Sequence, residues 1–186
     1  TSFGGSLLRC ASPAPAVIAC QIDSPRTGDF WRLSVTISSI PSTVARLRQT
    51  FDSGKTRPIE WRQAQLFELG RMMRQHEADF AEALRLDLGK CLFEAVLTEM
   101  SFVEAEAKYA SKHLGGWMRP RRVRTPMMLQ PGRSYVRPES KGVALIIAPW
   151  NYPLSMVLAP LVGAIAGGNC VAMKPSEVTA NVSAAI

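Results

Sequence analysis

The sequence predicts an α/β fold in which N-terminal helices lead through a β-hairpin into the start of a parallel sheet. Three observations predict it. Apolar residues recur at intervals of three and four along much of the stretch from Ile59 to Leu114. After Pro120 the pattern changes to short runs punctuated by Pro, Gly and Arg. Between Lys141 and Lys174 no residue is charged, and two short apolar runs flank a longer one. The first pattern is a helix signal, the second a hairpin signal, and the third the signature of a buried βαβ unit.

The elements follow in order. Residues 1–41 carry Gly, Ser, Pro and Thr without a sustained period, so poor order, or an extension foreign to the domain, is expected there. The apolar stretch Ala11 to Cys20 lacks a basic start and is not read as a signal peptide. Ser42 is placed as the cap of a short helix carrying Val44, Leu47 and Phe51. Pro58 suits the first turn of a second helix, whose stripe is Ile59, Leu66, Leu69, Met73, Phe80 and Leu84 and whose stop is Gly89. A third helix carries Phe93, Val96, Met100, Val103, Ala107, Ala110 and Leu114, with Gly115-Gly116 as its end.

Val123 to Leu129, the turn Gln130-Pro131-Gly132, and Ser134 to Val136 read as a hairpin. Its Pro and Arg content suits an exposed or partner-facing ribbon more than a central strand. Gly142 to Ile147 is uncharged and partly β-branched, as a strand buried on both faces should be. Leu154 to Ala166 is a helix with Pro160 inside it, Gly167-Gly168-Asn169 ends it, and Cys170 to Met173 is a second buried strand. A last helix opens at Ser176 or Thr179.

Composition narrows the function classes. A chain of 186 residues with 47% hydrophobic and 20% charged residues is an ordinary globular domain. The net charge of +7 owes much to Arg119, Arg121, Arg122, Arg124, Arg133 and Arg137. No nucleic-acid motif accompanies them, so they read as a solvated face, and no nucleic-acid partner is expected. Cys10, Cys20, Cys91 and Cys170 form no CxxC pair, and nothing clusters at metal-ligand spacing. The uncharged stretch Leu154 to Met173 is long enough to cross a bilayer, but Pro160 and the Gly-Gly-Asn turn interrupt it, so no membrane span is expected. The expected compartment is the cytoplasm.

In a parallel sheet, ligands bind beyond the carboxyl ends of the strands. Two such ends carry polar clusters, Trp150-Asn151 and Lys174-Pro175-Ser176-Glu177. Neighbouring parallel strands put both on one rim. The neutral amide of Asn151 can donate to an oxyanion without perturbing a nearby nucleophile as a cation would. Taken alone it reads equally as a turn asparagine. Lys174 donates and Glu177 accepts, the pairing that a vicinal diol such as a ribose requires. A carboxylate at that place also disfavours a 2′-phosphate. Taken alone, the same residues read as a helix-capping pattern.

Together, WNYP followed by VGAIAGGNCVAMKPSE resembles the aldehyde dehydrogenase superfamily, and TRPIEWRQAQLFELGRMM with DLGK resembles its class 3 branch for fatty and aromatic aldehydes. The resemblance spans about residues 43 to 186. It implies a Rossmann-like cofactor domain, so that this chain is an incomplete aldehyde dehydrogenase fold, with residues 42–186 its N-terminal part and 123–138 an oligomerisation hairpin of a homodimer. It implies that Asn151 stabilises the oxyanion formed when a thiolate attacks an aldehyde. It implies that Lys174 and Glu177 hold the adenosine ribose of NAD or NADP, with Ala148, Pro149, Trp150, Pro175 and Ser176 beside the cofactor. The implied reaction oxidises an aldehyde to a carboxylic acid through a thiohemiacetal and a thioester. The family's nucleophilic cysteine, general-base glutamate and Gly-rich loop belong beyond Ile186, and none of the four cysteines takes the nucleophile's place. Pro160 stands where some branches carry a lysine nine residues after the asparagine, in keeping with class 3. The chain starts at Thr1 with no methionine before Met72. It is therefore expected to be a fragment, inactive alone. The competing expectation is a non-catalytic interaction protein that reuses the fold.

Overall fold

The computed structural model describes Ile18–Cys20 and residues 40–186. The remainder of the stretch 1–41, including Cys10, lies outside the described residues. The elements are β1 (Ile18–Cys20), α1 (Ile40–Asp52), α2 (Ile59–Gln75), α3 (Glu77–Leu88), α4 (Leu92–Ala95), a π turn (Val96–Met100), α5 (Ser101–Trp117), β2 (Arg121–Val123), a 3-10 turn (Met127–Leu129), β3 (Ser134–Val136), β4 (Val143–Ile147), α6 (Pro153–Ala166), β5 (Cys170–Lys174) and α7 (Ala180–Ala185). A three-stranded sheet has the order β1-β5-β4. β4 and β5 are parallel, with Val143 opposite Cys170 and Ile147 opposite Lys174. β1 runs antiparallel to β5, with Ala19 opposite Ala172.

The predicted βαβ unit is present. α6 buries Leu154, Val157, Leu158, Leu161, Val162 and Ile165 between the sheet and α5. Each fully buried aliphatic side chain of this size contributes about 1.5–3 kcal/mol, so this one helix face anchors the core. Pro160 lies on the exposed side of α6, where its missing N–H leaves no buried acceptor. Arg62 of α2 clamps the far end of the unit: its Nε donates to the Thr56 carbonyl at 3.0 Å and its Nη1 to the Ala166 carbonyl at 3.0 Å.

Several boundaries differ from the sequence reading. α1 starts two residues before Ser42, with Pro41 in its first turn, where a missing N–H costs nothing. The second helix breaks at His76, whose φ of −110° and ψ of 24° leave the helical region. No Gly or Pro marks the break. It arises because α2 packs on α5 while α3 packs on α7 and α4. The third helix contains the π turn and runs on through Gly115-Gly116 to Trp117. A π turn holds one residue more than an α turn, so it rotates the upstream stripe. Ala95 turns inward and Phe93, expected in the core, is exposed.

The hairpin pairs Arg121–Val123 with Ser134–Val136, not the longer first strand expected over 123–129. Pro126 cannot donate to a ladder, and the Leu129 N–H turns back to the Pro126 carbonyl at 3.0 Å. β4 is not buried on both faces as expected. Leu145 and Ile147 are 63% and 66% exposed. α6 covers the Ile146 face, while α1 covers the other face only where Leu47 and Phe51 meet Val143, Cys170 and Ala172. β5 lies between two strands and is buried along most of its length. Among the described residues, no helix is long and apolar enough to cross a membrane.

Candidate active site

The register sets the two polar clusters side by side. Ile147 and Lys174 are opposed at the ends of β4 and β5, and the Ala148 N–H donates to the Lys174 carbonyl at 3.1 Å. The chain then turns through Pro149, Trp150, Asn151 and Tyr152 into α6, while β5 turns through Pro175 and Ser176 to Glu177. Pro149, Trp150 and Asn151 are exposed on this rim, and Ala148 is buried beneath them. The side chain of Asn151 is thus presented to solvent at a strand end, the position at which it can donate to a bound oxygen.

On the second turn, the Lys174 ammonium pairs with the Glu177 carboxylate and also reaches the Pro175 carbonyl at 3.4 Å. The hydrogen bond from Lys174 holds the Glu177 carboxyl below the usual carboxylate range, helped by a backbone N–H. Glu177 is therefore ionised at neutral pH, with its exposed carboxylate open to a further donor. Ser176 has a different place from its neighbours. It is buried, its Oγ accepts the Val178 N–H at 3.3 Å, and its carbonyl accepts the hydroxyls of Thr179 and Ser183. Pro175 is also buried. Of the eight residues singled out from the sequence, Asn151, Trp150, Pro149, Lys174 and Glu177 line the accessible rim, while Ala148, Pro175 and Ser176 support it from below.

Two further residues belong to the site and carry no periodic sequence signal. Glu99, in the π turn, is 0% exposed. Its Oε2 accepts the N–H groups of Leu154 and Ser155 at 2.9 and 3.1 Å, and its Oε1 meets the Lys90 ammonium at 2.5 Å. Lys90 is buried as well, with its Nζ 4.1 Å from the centre of the Tyr152 ring. Helix N-termini present unpaired N–H donors and a partial positive charge, which makes them common phosphate sites. Here the first-turn donors of α6 are already filled by Glu99, and Pro153 has none to offer. The start of α6 therefore has no free first-turn N–H to offer a phosphate.

Cys170 is buried, and burial pushes its thiol above the ordinary range, against a smaller opposing effect of Lys55. It is a core residue and not a nucleophile. Among the described residues, no group of three or more His, Cys, Asp or Glu side chains gathers as metal ligands.

Comparison with known proteins places this geometry. The chain is 45% identical over 140 residues to human aldehyde dehydrogenase family 3 member B1, covering 75% of this chain and 30% of that protein. It thus spans about a third of the length of the curated relatives it matches. Its fold superposes on a substrate-bound AldH of Staphylococcus aureus with a TM-score of 0.74 at 40% identity, over 78% of this chain and 32% of that one. A succinic semialdehyde dehydrogenase of Streptococcus pyogenes, solved with NADP+, shares the fold at 20% identity and a TM-score of 0.71, over 84% and 34% of the two chains. The sequence profile of the aldehyde dehydrogenase family matches residues 34–186. The fold is that of an incomplete aldehyde dehydrogenase, and the chain belongs to the aldehyde dehydrogenase family.

Proposed function

We propose that this chain contributes the oxyanion donor and one wall of the nicotinamide-cofactor cleft to an NAD(P)-dependent oxidation of aldehydes to carboxylic acids. The observation that carries the reading is the register of β4 and β5, which brings the Asn151 turn and the Lys174–Glu177 turn to one rim. The donor set fits the group: an ammonium and an ionised carboxylate three residues apart offer a vicinal diol one donor and one acceptor. The NADP+ complex of the streptococcal relative supports cofactor use of this kind. When bound, the cofactor would supply the hydride acceptor that the oxidation of an aldehyde requires. The role of this chain in that step is to bind and orient. The Asn151 amide donates to the carbonyl oxygen as negative charge grows on it. The Glu177 carboxylate repels a 2′-phosphate, which favours NAD over NADP.

The nucleophile and base are assigned to sequence beyond Ile186, so the chain alone is inactive. In the full-length enzyme, residues 123–138 serve as the dimer hairpin, and the setting is cytoplasmic. The support for the hairpin role is the exposed tip formed by Met127, Met128 and Leu129.

The test is a titration of the 15N-labelled chain with NAD+ and with NADP+, following the amide signals of Lys174 to Val178. NAD+ is expected to shift these signals. Glu177→Gln is expected to weaken NAD+ binding about tenfold, the loss of one hydrogen bond to a charged group. The same substitution is expected to narrow the gap between NAD+ and NADP+. Shifts that avoid this turn, or none at millimolar nucleotide, refute the assignment of the ribose site. NADH formation from an aldehyde by the purified chain would refute its inactivity.

A further inference from the structure

We propose that Lys90 and Glu99 are positioning residues for Asn151, acting through the start of α6. The inference rests on reading Asn151 as the oxyanion donor. An oxyanion donor is effective only if it is held in place before the reaction, because reorganisation during the reaction would forfeit its advantage.

Within the turn, the Tyr152 carbonyl accepts the Met156 N–H at 2.9 Å and the Ser155 hydroxyl at 3.4 Å, but the Leu154 and Ser155 N–H groups have no local acceptor. The N-cap of α6 is Tyr152, whose side chain makes no capping hydrogen bond, and the next residue, Pro153, has no N–H. The hold comes from 55 and 56 residues away in sequence, where Glu99 accepts the Leu154 and Ser155 N–H groups. Lys90 completes it on both sides. Its ammonium neutralises Glu99 and sits against the face of the Tyr152 ring, next to Asn151 in the chain. The backbone on the C-terminal side of Asn151 is thereby fixed by one buried charge pair. On the N-terminal side it is fixed by the ladder bond from Ala148 to Lys174.

The location of Glu99 agrees with this role. It lies in the π turn, a rare conformation that occurs frequently at functional sites. The adjoining α5 packs along both α2 and α6. The extra residue of the turn aims the Glu99 carboxylate at the end of α6. A residue needed only to fill the core would be apolar, because burying a charge pair is no more favourable than burying well-packed hydrophobic groups.

The test uses amide exchange and the side-chain NH2 signals of Asn151 in the 15N-labelled full chain. Lys90→Met with Glu99→Met removes both charges together and so preserves the fold. In this double variant the Leu154 and Ser155 amides are expected to exchange at least about tenfold faster relative to Leu161 and Val162, as expected when a buried donor loses its acceptor. The Asn151 NH2 and Trp150 indole signals are expected to shift and broaden. Lys90→Met with Glu99→Gln restores a neutral acceptor and is expected to return both readouts toward the native ones. Leu69→Ala, in the core of α2 and remote from the turn, lowers global stability and is expected to leave the Asn151 signals in place.

The proposal is overturned if the Met–Met variant retains native protection and native Asn151 signals, or if Leu69→Ala moves those signals as far. It is also overturned if the Gln variant is no closer to native than the Met–Met variant. No nucleotide enters these measurements. Their failure therefore leaves the ribose-site titration standing, and failure of that titration leaves these measurements standing.

Discussion

Lys90→Met is expected to lower the unfolding free energy by about 3–5 kcal/mol, because it strands the Glu99 carboxylate in a fully buried site. Two backbone N–H groups and the partial charge of one helix end remain as partners, and they do not replace an ammonium at 2.5 Å. A loss of this size is a large fraction of the stability of an ordinary domain. Urea unfolding followed by circular dichroism measures it as a fall in midpoint at constant slope. The double variant Lys90→Met/Glu99→Met is expected to recover much of the loss, since replacing both charges by apolar groups of similar size is often close to neutral. A single-variant loss below about 1 kcal/mol would mean that the pair is solvated, contrary to the geometry described above.

Gly168→Ala is expected to cost about 2–4 kcal/mol, the sum of left-handed backbone strain and repacking. Gly168 has a φ of +72° at the turn between α6 and β5. A Cβ placed there would lie 2.5 Å from the Arg62 guanidinium and 2.6 Å from Ser140 Oγ. Arg62 cannot withdraw freely, because it is bonded to the Thr56 and Ala166 carbonyls. The Gly168 carbonyl is also engaged, accepting the Thr56 hydroxyl at 2.7 Å. Gly89→Ala supplies the control. Its φ of +68° imposes a similar backbone strain, yet nothing lies within 4 Å of an added Cβ. It is expected to cost only about 1–2 kcal/mol, so the difference between the two variants isolates the contact with Arg62. Equal losses at the two positions would show that Arg62 gives way.

Residues whose neighbours in sequence determine their environment were readable in advance. The stripe Leu66, Leu69, Met73, Phe80 and Leu84 is buried as its spacing predicts, although the helix carrying it breaks at His76. The βαβ unit was readable because a parallel strand pair needs a crossover and no charge can sit inside it. The motif pair around Asn151 and Lys174–Glu177 pointed to the family that the comparisons establish. The exposure of Phe93, Leu145 and Ile147 was not readable. Each depends on a π turn or on how far a distant helix reaches across a sheet face, and neither has a local pattern.

The caps show the same division. α6 and α7 make no local side-chain cap bonds. Both are capped by carboxylates from far along the chain, Glu99 on α6 and Asp87 on α7, where Asp87 accepts the Asn181 and Val182 N–H groups at 3.2 and 2.8 Å. A capping box announces itself within four residues. A carboxylate 55 or 94 residues away does not.

By itself the sequence determined the passage from helices through a hairpin into a βαβ unit, the two strand ends that share a rim, and the family. Period, turn chemistry and the absence of charge act over a few residues and are written in the chain. The tertiary structure alone decided what holds that rim, the carboxylate that fills the start of α6 and the ammonium that neutralises it, and what closes the far end of the βαβ unit, the Arg62 guanidinium. A buried charge is tolerated only where the fold gathers its partners, and those partners come from helices that meet only after folding.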